Sequence, residues 1–359
     1  MTPGTIKVLL VDDSPIALLL LKRILATVPD IEVVGTAQDG LEGLRLVEQL
    51  DPDVVCTDLH MPVINGLELT RAVMARFPRP VLVVSVSVAD HSMTAFTLLE
   101  AGALDIVAKP RQDSETGFRA IAAELVRKIR ILSGVKVFRR NGQAHAAAPA
   151  PVPSAKAIPG APPRLIVVGA STGGPPVLQT LLSRLPADFA VPMVVVQHIS
   201  EGFLDNMVAW LNAFTPLHVS VAQAEELPAP GRVYFAPERK HLLFDREGRF
   251  VLSTDPPVHG HRPSVTRTMQ SAVASYGSEV AGVLLTGMGS DGAEGMLEIC
   301  RAGGMTIAQD ERSSVVFGMP KQAIAIGAAK LVLSLDELPG GLVRLGGKGV
   351  KEGGGSHGR

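Results

Sequence analysis

Short aliphatic runs recur along this chain, each followed by an amphipathic stretch, and the rhythm stops once and then restarts. The first five runs are IKVLLV (6–11), IEVVGT (31–36), DVVCT (53–57), PVLVVS (80–85) and LDIVA (104–108). Short runs dominated by Val, Ile and Leu suit strands covered on both faces, as in a parallel sheet. Helical patterns lie between them, and one more covers about 115–132. Five strand–helix repeats predict a doubly wound parallel sheet. Residues 139–163, RRNGQAHAAAPAPVPSAKAIPGAPP, carry no apolar periodicity and read as an extended linker. Alternation then resumes, with strands expected at 164–168, 192–196, 281–285, 304–308 and 331–334. Between 217 and 253 the segments VYFAP, HLLFD and FVLS are separated by turn residues and read as antiparallel hairpins. The domains are therefore placed at 1–132 and 164–345, with a linker at 133–163 and a Gly-rich tail at 346–359 read as disordered.

Composition narrows the function classes. The chain has 34 basic and 35 acidic residues, which gives no overall attraction to nucleic acid or to an anionic membrane. No apolar run is long enough to span a bilayer, and Asp12 and Asp13 interrupt the N-terminal run before a signal-peptide core forms. The two cysteines, Cys56 and Cys300, lie in apolar runs and are read as buried thiols in a reducing cytoplasm. A cytoplasmic protein without membrane insertion is expected.

In the first domain, polar residues fall at strand ends. Asp12 and Asp13 follow the first strand, Asp58 the third, Ser85 ends the fourth, and Lys109 follows the fifth. Carboxyl ends of parallel strands share one edge, where open α/β sheets bind ligands. Crowded carboxylates suit a hard cation, and Mg²⁺ takes a few of them while keeping water. Ser85 and Lys109 would then hold phosphoryl oxygens. Any one of these aspartates, Asp13 above all, also reads as a helix cap.

In the second domain, LIVVGASTGG (165–174) drives a strand into a glycine cluster. No lysine follows to make a P-loop, and Ser171 occupies the place of the second glycine of a dinucleotide fingerprint. Gly169-Ala170-Ser171-Thr172-Gly173 does match G-x-S-x-G, which presents a serine on a tight strand-to-helix turn. His198 follows another strand, and Asp291 lies in a Gly-rich loop after a third. Each has a plainer reading: Ser171 as a helix cap, His198 as a structural histidine, and Asp291 as the cap of a helix at about 292–301. Together they form a nucleophile, a base and an orienting carboxylate. Backbone amides of Thr172 and Met288 are the candidate oxyanion donors.

Two resemblances follow from these motifs. VDDS, TDLHMP with Asn65–Gly66, and AKP make residues 6–132 similar to response-regulator receiver domains, flavodoxin-like (βα)5 folds. That resemblance implies phosphorylation of Asp58 by a chemotaxis-type histidine kinase, with Mg²⁺ held by Asp12, Asp13 and Asp58. The position three before Lys109, aromatic in many members, is Ile106. IVVGASTGG, VVQHI, HRPSV, LLTGMGSDGAEGM and IAQDERSSVVFGMP make residues from about 164 to 345 resemble the catalytic domain of chemotaxis protein-glutamate methylesterases, the CheB family. That resemblance implies a doubly wound, mostly parallel α/β domain. It also implies the triad Ser171, His198 and Asp291 acting without a cofactor on glutamate γ-methyl esters of chemoreceptors, with receptor glutamine deamidation as a second activity. TRTMQ (266–270) and Glu238 depart from the usual family pattern.

The remaining signals are weaker. His259 and His261 form an H-x-H with no further ligand cluster nearby. Arg262 reads as a loop brace or a carboxylate receptor, and Trp210 with Phe214 as core residues of one helix. A non-catalytic receptor-binding adaptor is the main alternative function. A DNA-binding output would need a basic recognition helix, which the second half lacks.

Overall fold

The computed structural model describes residues 4–86, 95–110, 115–137 and 162–346. Most of the predicted linker and nearly all of the Gly-rich tail lie outside these residues. The chain divides into two compact units, and its two large sheets are parallel.

The first sheet contains β1 (Ile6–Val11), β2 (Ile31–Ala37), β3 (Val54–Thr57), β4 (Val81–Ser85) and β5 (Asp105–Ala108). Its order is β2-β1-β3-β4-β5 with every pair parallel. The associated helices are α1 (Pro15–Ala26), α2 (Gly40–Leu50), α3 (Gly66–Arg76), α4 (Ala95–Ala101) and α5 (Glu115–Leu132). β3 and β4 are buried along their whole length, as their unalternating sequences require. Val8, Leu10, Leu25, Val54, Leu82, Leu125 and Ile129 share one core. Burying a side chain of this kind contributes about 1.5–3 kcal/mol. From β1 the chain adds β2 on one side and β3 on the other, so the switch point lies between β1 and β3.

The second sheet has seven strands. In chain order its region runs β6 (Leu165–Ala170), α6 (Gly174–Ser183), β7 (Met193–Gln197), α7 (Leu204–Asn212), β8 (His218–Val221) and β9 (Arg232–Phe235). An antiparallel pair follows, β10 (His241–Phe244) with β11 (Phe250–Ser253). Then come α8 (Val265–Tyr276), β12 (Val280–Leu284), α9 (Ala293–Arg301), β13 (Met305–Gln309), α10 (Met319–Ala325), β14 (Leu331–Leu333) and α11 (Leu338–Leu345). The large sheet has the order β14-β13-β12-β6-β7-β9-β8, and all its neighbours are parallel. The expected doubly wound architecture is therefore present, with a small antiparallel element.

Three expectations need correction. HLLF and FVLS pair as a hairpin, but VYF does not join them. It is β9, parallel to both β7 and β8. Val233, Tyr234 and Phe235 are all buried, and a strand covered on both faces belongs inside a sheet, whatever turn residues flank it. Phe214 lies beyond α7 and is 41% exposed, whereas Trp210 on α7 is buried. Cys56 is buried, which pushes its thiol up to about 12, but Cys300 is only half-buried.

Candidate functional sites

The order of the first sheet places Asp12 after β1, Asp58 after β3, Ser85 at the end of β4 and Lys109 after β5. These strands are consecutive neighbours, so the four residues share one edge. Carboxylate oxygens of Asp12, Asp13 and Asp58 lie within 4.8 Å of one another. The Lys109 ammonium lies 2.7 Å from Asp12 Oδ2 and 2.8 Å from Asp58 Oδ2. Three carboxylates against one ammonium leave excess negative charge, and this donor set fits a hard divalent cation. Ser85 is buried.

Local sequence explains the arrangement. Ser14, not Asp13, caps α1, accepting from the Ala17 N–H. Asp12 accepts from the Ser14 N–H at 3.0 Å. Asp13 is therefore exposed with its carboxylate at the cluster. Asn65 forms a reciprocal capping box with Glu68 at the start of α3. Gly66 then passes so close to Asp58 that a Cβ would lie 2.0 Å from the Asp58 carbonyl oxygen. The Asn-Gly pair thus sets both the helix start and the backbone beside the aspartate. Burial raises the Asp58 carboxyl, Lys109 draws it down, and the balance sits above the ordinary carboxylate value. Burial lowers the Lys109 ammonium, but Asp12 and Asp58 together outweigh it and hold it above its ordinary value.

On the second sheet β6 lies between β7 and β12. Ala170 pairs with Gln197, so Ser171 and His198 each come one residue after paired positions of adjacent strands. Leu284 pairs with Gly169, and Asp291 lies on the loop that leaves β12. Ser171 and Asp291 are buried and His198 is half-buried. The glycines around Ser171 have separate reasons. A Cβ on Gly169 would meet Val265 Cγ1 at 2.4 Å, and Gly173 has φ +76°. One glycine permits close packing of α8, and the other permits the turn into α6.

Asp291 does not cap α9, whose N-cap is Gly292 without a side-chain bond. Its carboxylate instead accepts from three donors at the start of α8. These are Ser264 Oγ at 2.8 Å, the Val265 N–H at 2.8 Å and the Thr266 N–H at 3.0 Å. The Gly292 N–H donates to Thr266 Oγ1 at 2.7 Å, tying the loop to the same helix. Three donors and the positive end of a helix compensate a carboxylate that is only 2% exposed. Ser264 is itself fixed, because its N–H donates to His241 Nδ1 at 3.2 Å. Nδ1 must then be the acceptor nitrogen, which leaves Nε2–H to donate to the Pro256 carbonyl at 3.2 Å.

Thr172 is buried beside Ser171, and Met288, 42% exposed, lies on the loop after β12. Arg262 donates to the carbonyls of Thr254 and Asp255, so it braces a loop. His259 Nε2 lies 3.9 Å from Glu294 Oε2 on the surface. His241 and Ser264 were not singled out from sequence. The available signals were a histidine opening an apolar strand and the serine of HRPSV.

The chain matches two family models, CheB methylesterase over residues 166–342 and response regulator receiver domain over residues 8–118. It is 40% identical over 345 residues to a protein-glutamate methylesterase/protein-glutamine glutaminase of Nitrosospira multiformis, covering 95% of this chain and 97% of that one. A protein of the same description from Methanospirillum hungatei is 42% identical over 332 residues, covering 91% and 95%. Among solved structures, the CheB methylesterase catalytic domain of Thermotoga maritima aligns with 51% of this chain and 98% of its own, at 38% identity and TM-score 0.50.

Proposed function

The chain belongs to the CheB methylesterase family, and from that premise we propose that it is a phosphorylation-activated hydrolase of glutamate γ-methyl esters on chemoreceptors. The observation that carries the reading is the placement of Ser171, His198 and Asp291 after three neighbouring parallel strands. In the proposed reaction Ser171 Oγ attacks the ester carbonyl carbon while His198 takes the hydroxyl proton. The tetrahedral oxyanion is met by the amides of Thr172 and Met288. The C–O bond to methoxide breaks, His198 returns the proton, and methanol leaves. Water then attacks the acyl-enzyme with His198 as base, and a glutamate side chain is released. Asp291 orients and electrostatically supports the imidazole. None of these steps calls on a cofactor.

The relatives are also named protein-glutamine glutaminases, and the same sequence of steps on a receptor glutamine would release ammonia in place of methanol. Asp58 is the proposed phosphoacceptor, with a chemotaxis-type histidine kinase as donor. Asp12, Asp13 and Asp58 would hold Mg²⁺, which supplies charge neutralisation for the incoming phosphoryl group. Ser85 and Lys109 would bind its oxygens. We place the functional boundaries at 1–132 and 164–345. Among the described residues no helix is long and apolar enough to cross a membrane.

The test is methanol release from methylated chemoreceptor cytoplasmic helices. Wild type is expected to release methanol, and Ser171→Ala to lose at least about 10³-fold in rate. Wild-type release that persists in Ser171→Ala would remove the serine from the mechanism. No release, together with no labelling of Ser171 by a fluorophosphonate, would favour a receptor-binding adaptor.

A further inference from the structure

The loop that leaves β12 is held in register by residues outside it. The Thr286 N–H donates to the Gln309 side-chain carbonyl at 2.7 Å. Gln309 closes β13, the neighbour of β12, and is fully buried. Its side-chain amide donates to Ser313 O at 2.8 Å and to Ser313 Oγ at 3.2 Å. The orientation of that amide is therefore set, since only the oxygen can receive an N–H and only the nitrogen can serve a carbonyl. Thr286 Oγ1 accepts from the Val316 N–H at 2.9 Å, and the Gly287 N–H donates to Val316 O at 3.0 Å. The N–H groups of Gly318 and Met319 both donate to Gly287 O, at 3.0 and 2.9 Å. Thr286 and Gly287 are clamped between the end of β13 and the segment leading into α10.

Gly318 lets the clamp close. A Cβ there would lie 2.6 Å from Gly287 O, 3.0 Å from Met288 Cα and 3.1 Å from Gly289 N. All three are backbone atoms, so no flexible side chain can move aside. Its φ is −108°, an ordinary value, so space and not conformation demands glycine. Met288 comes directly after the clamped pair, and among the described residues nothing accepts from its N–H.

We propose that Gln309 and Gly318 are positioning residues for hydrolysis, holding the Gly287–Met288–Gly289 turn so that the Met288 N–H meets the developing oxyanion. The inference rests on the esterase reading above. Neither residue touches substrate; both act through the turn. An oxyanion donor works only at hydrogen-bond distance from where charge develops. A displacement of about 1 Å is enough to cost about 10²-fold.

The experiment uses the full-length protein with Gly318→Ala, Gln309→Glu and Gln309→Ala. Gln309→Glu keeps an acceptor for Thr286 but loses the donor to Ser313. The readouts are kcat, KM, the rate of Ser171 inactivation by a fluorophosphonate, and thermal melting. Gly318→Ala is expected to lower kcat by about 10²-fold with KM within about threefold, and to slow inactivation in the same proportion. A merely structural role would lower the melting temperature and leave both rates per folded molecule alone. If Gly318→Ala does not fold, Gln309→Glu carries the same comparison with a smaller loss. Wild-type rates in the folded variants, or a fall in kcat without slower inactivation, would overturn the proposal. Ser171 labelling without methanol release in wild type would sink the substrate and not the clamp, which the inactivation ratios still test. Absence of wild-type labelling would bring down both.

Discussion

Asp58 sits where ionisation is costly, and that has a consequence at the level of one residue. Burial outweighs the pull of Lys109, so its carboxyl lies above the ordinary value. An acid raised in the folded state favours folding while protonated, and that stability is lost as pH rises through its folded value. At neutral pH the ionised group therefore costs stability. Asp58→Asn is expected to raise the melting temperature of the first unit at pH 7 by about 4 °C, the shift that roughly 1 kcal/mol produces. The gap should close below the ordinary carboxylate range, where both side chains are neutral. Millimolar Mg²⁺ should raise the wild-type melting temperature and move the variant less, because a ligand of the folded state stabilises by mass action. A variant melting below wild type at neutral pH contradicts the argument. The cluster itself was legible in sequence, because Asp12, Asp58 and Lys109 stand at strand ends of a parallel sheet. The reason for Gly66 was not, since its 2.0 Å approach to the Asp58 carbonyl exists only after folding.

Among the elements, α8 carries more than its sequence announces. Its first turn gives Asp291 three hydrogen bonds. Ser264 also caps the helix, accepting from the Arg267 N–H at 3.4 Å. Ser264→Ala removes a buried bond to a charged group together with the cap. The expected cost is about 2 kcal/mol of stability. The folded fraction should show a reduced kcat with KM largely held, because Asp291 loses a fixed partner and makes no contact with substrate in the proposed chemistry. Denaturant melts and steady-state kinetics on the same preparation check both halves, and an unchanged kcat would make Ser264 purely a cap. Local signals explain what was read correctly: β1, β3, β4, β6, β7, β12 and β13 are apolar runs that cannot face water. β8, sequence HVSV, is short and half polar, so it gave no such signal. The plainer reading of Asp291, as a cap of α9, fails for the same reason. Ser264 is 27 positions away in sequence, and a cap supplied across that distance leaves no local pattern, whereas a helix beginning at Ala293 suggested the nearer one.

For the chain as a whole, the proposed phosphoacceptor pocket and the candidate hydrolytic edge belong to different sheets, so control of one by the other would be a coupling free energy. Activation by tenfold requires about 1.4 kcal/mol and by 100-fold about 2.7 kcal/mol. The first unit contains groups that the proposed phosphorylation would have to rearrange. Lys109 is already engaged by Asp12 and Asp58, and phosphoryl oxygens on Asp58 would compete for it. β5, which precedes Lys109, has buried Ile106 where many receivers have a rotating aromatic ring. Its backbone is tied instead to α5, because Lys128 donates to the Ile106 carbonyl and pairs with Asp105 at 2.9 Å and Glu124 at 3.1 Å. Whatever changes at Lys109 therefore acts on a braced strand, not on a ring free to turn. In the full-length chain, a small phosphodonor with Mg²⁺ is expected to raise methanol release by about 5- to 150-fold, the range that 1–3 kcal/mol of coupling spans. Asp58→Asn should stay at its basal rate with or without donor, while its Ser171 remains open to the phosphonate. Phosphorylation of wild-type Asp58 with no change in rate would leave the pocket and the hydrolytic edge energetically independent, and the braced strand would then be a stabilising feature only.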